Sequence, residues 1–114
     1  MRSFIAPLLA LAIIAIPAPA AAEAGNFKLV NRTGASIVSL AIRRVGTKAW
    51  QPLGGNPANG SLTAVAFRDP DCAFDIQARL ADGQSATFTG VNLCDVTTVT
   101  LNRGKGGQLW VDYD

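Results

Sequence analysis

Cys72-Ala73-Phe74-Asp75-Ile76-Gln77-Ala78-Arg79-Leu80-Ala81-Asp82-Gly83 is the stretch whose reading decides the fold. Phe74, Ile76, Ala78 and Leu80 alternate with Asp75, Gln77 and Arg79, the period of two that turns successive side chains to opposite faces of a strand. One face is therefore expected in a core and the other, with Asp75, in water. Asp82-Gly83 follows at once and predicts a two-residue type I′ hairpin, in which both central residues take positive φ. A return strand is expected from Ser85 to about Thr89.

Outward from this hairpin, short β-prone runs are separated by Gly, Asn, Asp and Pro, and no helix-length apolar period appears. Phe27 to Val30 is one run, and Asn31-Arg32-Thr33-Gly34 supplies the turn that follows it. Ser36 to Arg44 is a longer run, with Val38, Leu40 and Ile42 expected on one face. A connection through Trp50 and Pro52 leads to Leu53-Gly54-Gly55-Asn56-Pro57-Ala58-Asn59-Gly60, which reads as a loop outside the core. Ser61 to Phe67, Thr97 to Asn102 and Gln108 to Tyr113 are the other runs, the last two joined through Gly104-Lys105-Gly106-Gly107. About seven short strands without a crossover helix predict an all-β domain, a small antiparallel β-sandwich, Ig-like in size, or a small barrel.

The chain has 114 residues, enough for one domain. Met1-Arg2, the apolar Phe4 to Ile16, and Pro17-Ala18-Pro19 before a run of alanines have the order of a secretory signal peptide. The expected division is a signal peptide over residues 1–22 and a single domain over 23–114, with cleavage after Ala22 or, second, after Ala24. The apolar run is shorter than the roughly 20 residues of a spanning helix, so no membrane span is expected after cleavage. The expected compartment is the periplasm or the cell exterior. There the only two cysteines, Cys72 and Cys94, are expected to pair, because oxidising compartments favour disulfides and a small core benefits from one.

Charge and residue types narrow the function. Without Arg2, nine Lys/Arg face eight Asp/Glu, spread along the chain, so no nucleic-acid partner is expected. Histidine is absent, which removes the Ser-His-Asp and Cys-His constellations and the commonest general base near neutral pH. Two cysteines without histidine do not make a four-ligand zinc site. Asp69, Asp71 and Asp75 are close enough in sequence to raise calcium, but Pro70 and Cys72 interrupt the run and Arg68 adjoins it. No metal and no cofactor is expected. Asn31-Arg32-Thr33 matches the glycosylation sequon, although serving the turn explains it better. Trp50 and Trp110 are the aromatics weighed as anchors for a partner or a sugar ring, with burial as the alternative for each. The adjacent Arg43-Arg44 pair completes the candidate binding residues.

Phe27-Lys28-Leu29-Val30-Asn31-Arg32-Thr33-Gly34, Trp50, Cys72 to Ala78, Asp82-Gly83 and Gly90-Val91-Asn92-Leu93-Cys94 together form a pattern N-x-T-G, C-x-x-D-I-x-A, D-G and G-V-x-L-C. In this pattern the chain resembles a family of small exported bacterial β-domains without an established activity. The resemblance spans residues 27–101 and omits the Gly-rich turn and final strand. It implies an exported setting, supports the disulfide and carries no catalytic residues. The resulting expectation is a monomeric, non-enzymatic module that binds a protein or envelope component. The alternatives are an enzyme inhibitor presenting Gly54 to Gly60, and a hydrolase with two converging aspartates.

Overall fold

A computed structural model describes residues 22–114. The expected signal peptide lies almost wholly outside the described residues. Eight strands form: β1 (Phe27–Arg32), β2 (Ile37–Arg44), β3 (Gln51–Leu53), β4 (Leu62–Val65), β5 (Ala73–Leu80), β6 (Ser85–Asn92), β7 (Thr98–Arg103) and β8 (Leu109–Tyr113). They make two four-stranded sheets, β4-β1-β7-β8 and β3-β2-β5-β6. Among the described residues no helix is long and apolar enough to cross a membrane.

The sandwich shows the expected all-β architecture, with one strand more than the seven runs. β3 is only three residues long and contains Pro52, so it carried no alternation to read; pairing of Leu53 with Leu40 makes it a strand. β1 and β7 pair in parallel, from Lys28 beside Thr98 to Arg32 beside Asn102. A parallel pair needs a long crossover, and here the chain supplies it by passing through the second sheet between the two strands. Because the pairing of β1 with β7 runs on through Asn31 and Arg32, these two residues belong to the strand and the turn begins later than expected.

The core is built from alternating inward residues of both sheets: Phe27 and Leu29 of β1, Val99 and Leu101 of β7, Leu40 and Ile42 of β2, Phe74, Ile76, Ala78 and Leu80 of β5, and Ala86 and Phe88 of β6. Phe67 packs edge-on against Phe27 and Phe74, with ring centroids 6.4 and 5.2 Å away. Val38 is a correction. A bulge between Ile37 and Ser39 opposes two residues of β2 to one step of β5. Ile37 thereby turns inward to join Leu40 and Ile42, and Val38 is left 49% exposed.

Two hairpins share one turn geometry. Gly83 N–H donates to Leu80 O (3.0 Å) and Leu80 N–H to Gln84 O (2.8 Å), while Gly107 N–H donates to Gly104 O (3.0 Å) and Gly104 N–H to Gln108 O (2.8 Å). Each loop thus has three residues, with glycine in the left-handed region at φ 87° and 83°. The expected two-residue type I′ turn at Asp82-Gly83 does not form. Asp82 keeps negative φ, and its Oδ1 accepts the Gln84 amide at 3.0 Å.

Candidate functional site

Three turns meet at one end of the sandwich, and Arg103 of β7 joins them. Its Nε donates to Thr33 O (2.8 Å), one terminal nitrogen to Gln84 Oε1 (3.1 Å) and the other to Asp82 Oδ2 (2.8 Å). The guanidinium holds the Asp82 carboxyl below its ordinary value, helped by the Gln84 amide. The sequence carried no signal for this clamp, because its three partners lie 19 to 70 residues away.

Beside it, Asn31 is fully buried. Its Nδ2 donates to Ala35 O (2.8 Å) and Pro57 O (3.0 Å), and its Oδ1 accepts the Thr33 amide at 3.0 Å and faces Thr33 Oγ1 at 2.6 Å. The sequon is therefore a structural hub, with its amide nitrogen committed to two carbonyls. Leu53 and Pro57 correct the expectation that Leu53 to Gly60 lies outside the core: Leu53 ends β3 and is buried in the core, and farther along the loop is Pro57. Pro57 is buried too, and its carbonyl also accepts the Ile37 amide at 3.1 Å, which seats the loop against the β1–β2 turn.

On the outer face of the second sheet, Asp75 is 6% exposed rather than in water. Its Oδ2 accepts Arg43 Nε at 3.0 Å and its Oδ1 accepts the Gly90 amide at 3.2 Å. The Gly90 amide is free to do so because the β5–β6 register shifts between Phe74 and Ile76. Arg43 lies 4.2 Å over the Trp50 ring, so Trp50, Arg43 and Asp75 form one stack. Asp75→Ala is expected to cost about 1–3 kcal/mol by orphaning the Gly90 amide and Arg43. Asp75→Asn, which retains an acceptor, should cost about half as much in urea unfolding, and equal losses would rule out a role for the amide.

Arg44 faces the opposite way and meets Asp69, with Nη2 to Oδ1 at 2.9 Å. The hydrogen bond and charge of Asp69 raise the Arg44 guanidinium. Burial pushes Asp69 upward, but the Asp71 amide together with Arg44 outweighs it and holds the carboxyl below its ordinary 3.8. Arg43 and Arg44 are thus both engaged by carboxylates and form no joint anion site. The clefts lined by Asp69 and Asp82 contain one aspartate each. Among the described residues no cluster of three metal-ligating side chains exists.

Asp69 and Asp82, both lowered on folding, add stability that is complete above their unfolded value and is lost as pH falls through the folded one. With no histidine, Tm is expected to stay level between about pH 5 and about pH 8 and to fall below about pH 4. A thermal melt series reads this, and a step near pH 6.5 would contradict it.

Cys72 and Cys94 are bonded, 5.1 Å apart at Cα, in keeping with an oxidising compartment. Beside them fully buried Ala24 bridges Asp69 and Cys94, its N–H donating to Asp69 O at 2.8 Å.

Trp110 stands apart from Trp50, on the other sheet, and is not buried. β8 is an edge strand, and Leu109, Trp110 and Tyr113 are 38%, 47% and 44% exposed. The Trp110 ring lies over Gly104, within 3.3 Å of where a Cβ would stand. On the same outer face Asn102 Nδ2 donates to Asp112 Oδ2 at 3.1 Å. On the inner side, Leu109, Val111 and Tyr113 border a cleft of about 220 Å³ with Phe88 and Thr89 of β6. No family model, no curated protein and no solved structure matches the chain.

Proposed function

We propose that the chain is a non-enzymatic binding module of the periplasm or cell exterior, and that β8 carries its contact surface. The carrying observation is the exposed Leu109-Trp110-Tyr113 edge in a domain whose other large aromatics, apart from partly covered Trp50 and Phe67, are in the core. Large apolar side chains left exposed on both sides of one edge strand, a tryptophan among them, are of the kind that docking sites use. The absence of histidine, the bonding of both cysteines and the pairing of Asp69, Asp75 and Asp82 with arginines support binding over catalysis. Trp50 and Arg43 serve the domain's own stack in this reading.

Trp110→Ala should cost about 1–2 kcal/mol and leave the domain folded, because about half of the ring is covered where it lies over Gly104. It should nevertheless abolish partner capture. Photo-cross-linking from envelope material, with benzoyl-phenylalanine replacing Trp110 or Val38, is expected to yield adducts only from position 110. Equal adducts from both positions, or none from either, would overturn the assignment of the surface.

A second reading, an inhibitor that presents Gly54 to Gly60, draws on the seating of that loop by Asn31 and Ile37. A stoichiometric enzyme complex lost with Asn56→Ala and kept with Trp110→Ala would select it.

A further inference from the structure

The backbone of β8 states how a partner would dock. Its bonding residues toward β7 are read from the ends of the ladder: Asp114 exchanges hydrogen bonds with Thr98, and Gly104 N–H donates to Gln108 O. In an antiparallel pair, bonded and non-bonded positions alternate. Trp110 and Asp112 therefore bond to Asn102 and Thr100, and the N–H and C=O groups of Leu109, Val111 and Tyr113 point to the free edge.

Tyr113 OH ties the end of this edge to the Asn92 amide of β6 at 3.0 Å, but its main-chain groups lack the usual protections. The other three are blunted: β3 is three residues long and contains Pro52, β4 is four residues long, and β6 is bulged at its pairing with β5. β8 has no proline, no lysine, and an unshifted register with β7 over all five residues. Edge strands of that kind template a further strand.

Its two sides differ chemically. Inward, a strand added beside β8 would set alternate side chains toward the cleft of about 220 Å³ between β8 and Phe88 and Thr89 of β6, which Trp110 also borders and across which Tyr113 OH accepts the Asn92 amide at 3.0 Å. Outward, the other side chains would meet the Trp110 ring and Asp112, and the charged residues of β8 and its following position are Asp112 and Asp114. A carboxylate beside an aromatic face suits a cation. A second copy's β8 would instead bring acidic residues toward acidic residues, since Asp112 of each strand would lie opposite or diagonal to the other in the registers that pair the strands fully.

We propose that β8 binds an extended segment of another protein by antiparallel strand addition, with apolar residues facing the cleft and Lys or Arg facing Trp110 and Asp112. This rests on the β8 surface reading above and specifies its partner. Main-chain bonds to Leu109, Val111 and Tyr113 supply affinity, and the two faces supply selectivity.

The probe is a fluorescent ten-residue peptide of alternating valine and lysine, followed by anisotropy with the oxidised mature protein. Antiparallel pairing puts the valine amides against β8, so N-methylation at the valines should weaken binding at least tenfold and N-methylation at the lysines by less than threefold. Exchange of lysine for glutamate should abolish binding, and Asp112→Asn should weaken it several-fold. Because the methyl groups are on the peptide, the test does not depend on a variant folding. No binding of the parent peptide, or equal response to both methylation patterns, overturns strand addition. If position 110 still yields cross-linked partner in that case, the β8 surface stands and only the mode is wrong; loss of both overturns both. Sedimentation showing a dimer that Val111→Lys dissociates would also overturn the proposal, assigning the edge to a second copy.

Discussion

With aspartate in place of Asn31, the domain is expected to lose about 3–5 kcal/mol at neutral pH, the usual cost of an uncompensated buried charge. The change preserves shape, so no cavity contributes. It replaces an amide that donates to the carbonyls of Ala35 and Pro57, at 2.8 and 3.0 Å, with an oxygen that both carbonyls repel. Complete burial offers the new carboxylate no water. Its folded pKa would be raised above the unfolded one, so the penalty is present above the folded value and shrinks as pH falls toward the unfolded value. Urea unfolding at about pH 7 and about pH 4.5 should therefore show the gap to wild type narrowing in acid. A gap below about 1 kcal/mol, or one that pH does not move, would mean that Asn31 does not anchor the corner.

Removal of the disulfide is expected to rank close behind. Cys72 and Cys94 close a loop with a sequence separation of 22. In the chain-entropy model that is worth about 3 kcal/mol, and in a domain of this size it corresponds to a Tm lower by roughly 10–25 °C. The bridge joins the entry to β5 and the segment after β6, where Ala24 is also bound. The double variant Cys72→Ser/Cys94→Ser and reduced wild-type protein should unfold at the same urea concentration, both well below oxidised wild type. A double variant as stable as oxidised wild type would show the bridge to be redundant with packing.

The strands with the clearest alternation were legible in advance. Phe74, Ile76, Ala78 and Leu80 are buried as their spacing requires. Errors arose where pairing changed the count of residues. The bulge at Val38 reversed its face, and the register shift at Asp75 freed the Gly90 amide that drew this carboxylate inward. Alternation is a property of one strand, whereas a bulge belongs to two. The candidate site divided in the same way. Trp110 was one of two tryptophans weighed as anchors and is exposed, but Arg43 and Arg44 read as a pair and proved to be two separate ion pairs on opposite faces.

By itself, the sequence determined what depends on local period and residue type: an all-β chain, the positions of the hairpins, and the lack of histidine, which removes the histidine-based catalytic constellations. Only the tertiary structure decided which strands are edges, which polar side chains are buried, and which backbone groups are unpaired. Those are relations between segments far apart in the chain, such as Arg103 with Thr33 or Asn31 with Pro57. Hydrogen bonds and burial act through space, and until the two sheets stack, no local pattern marks β8 as the strand with a free side.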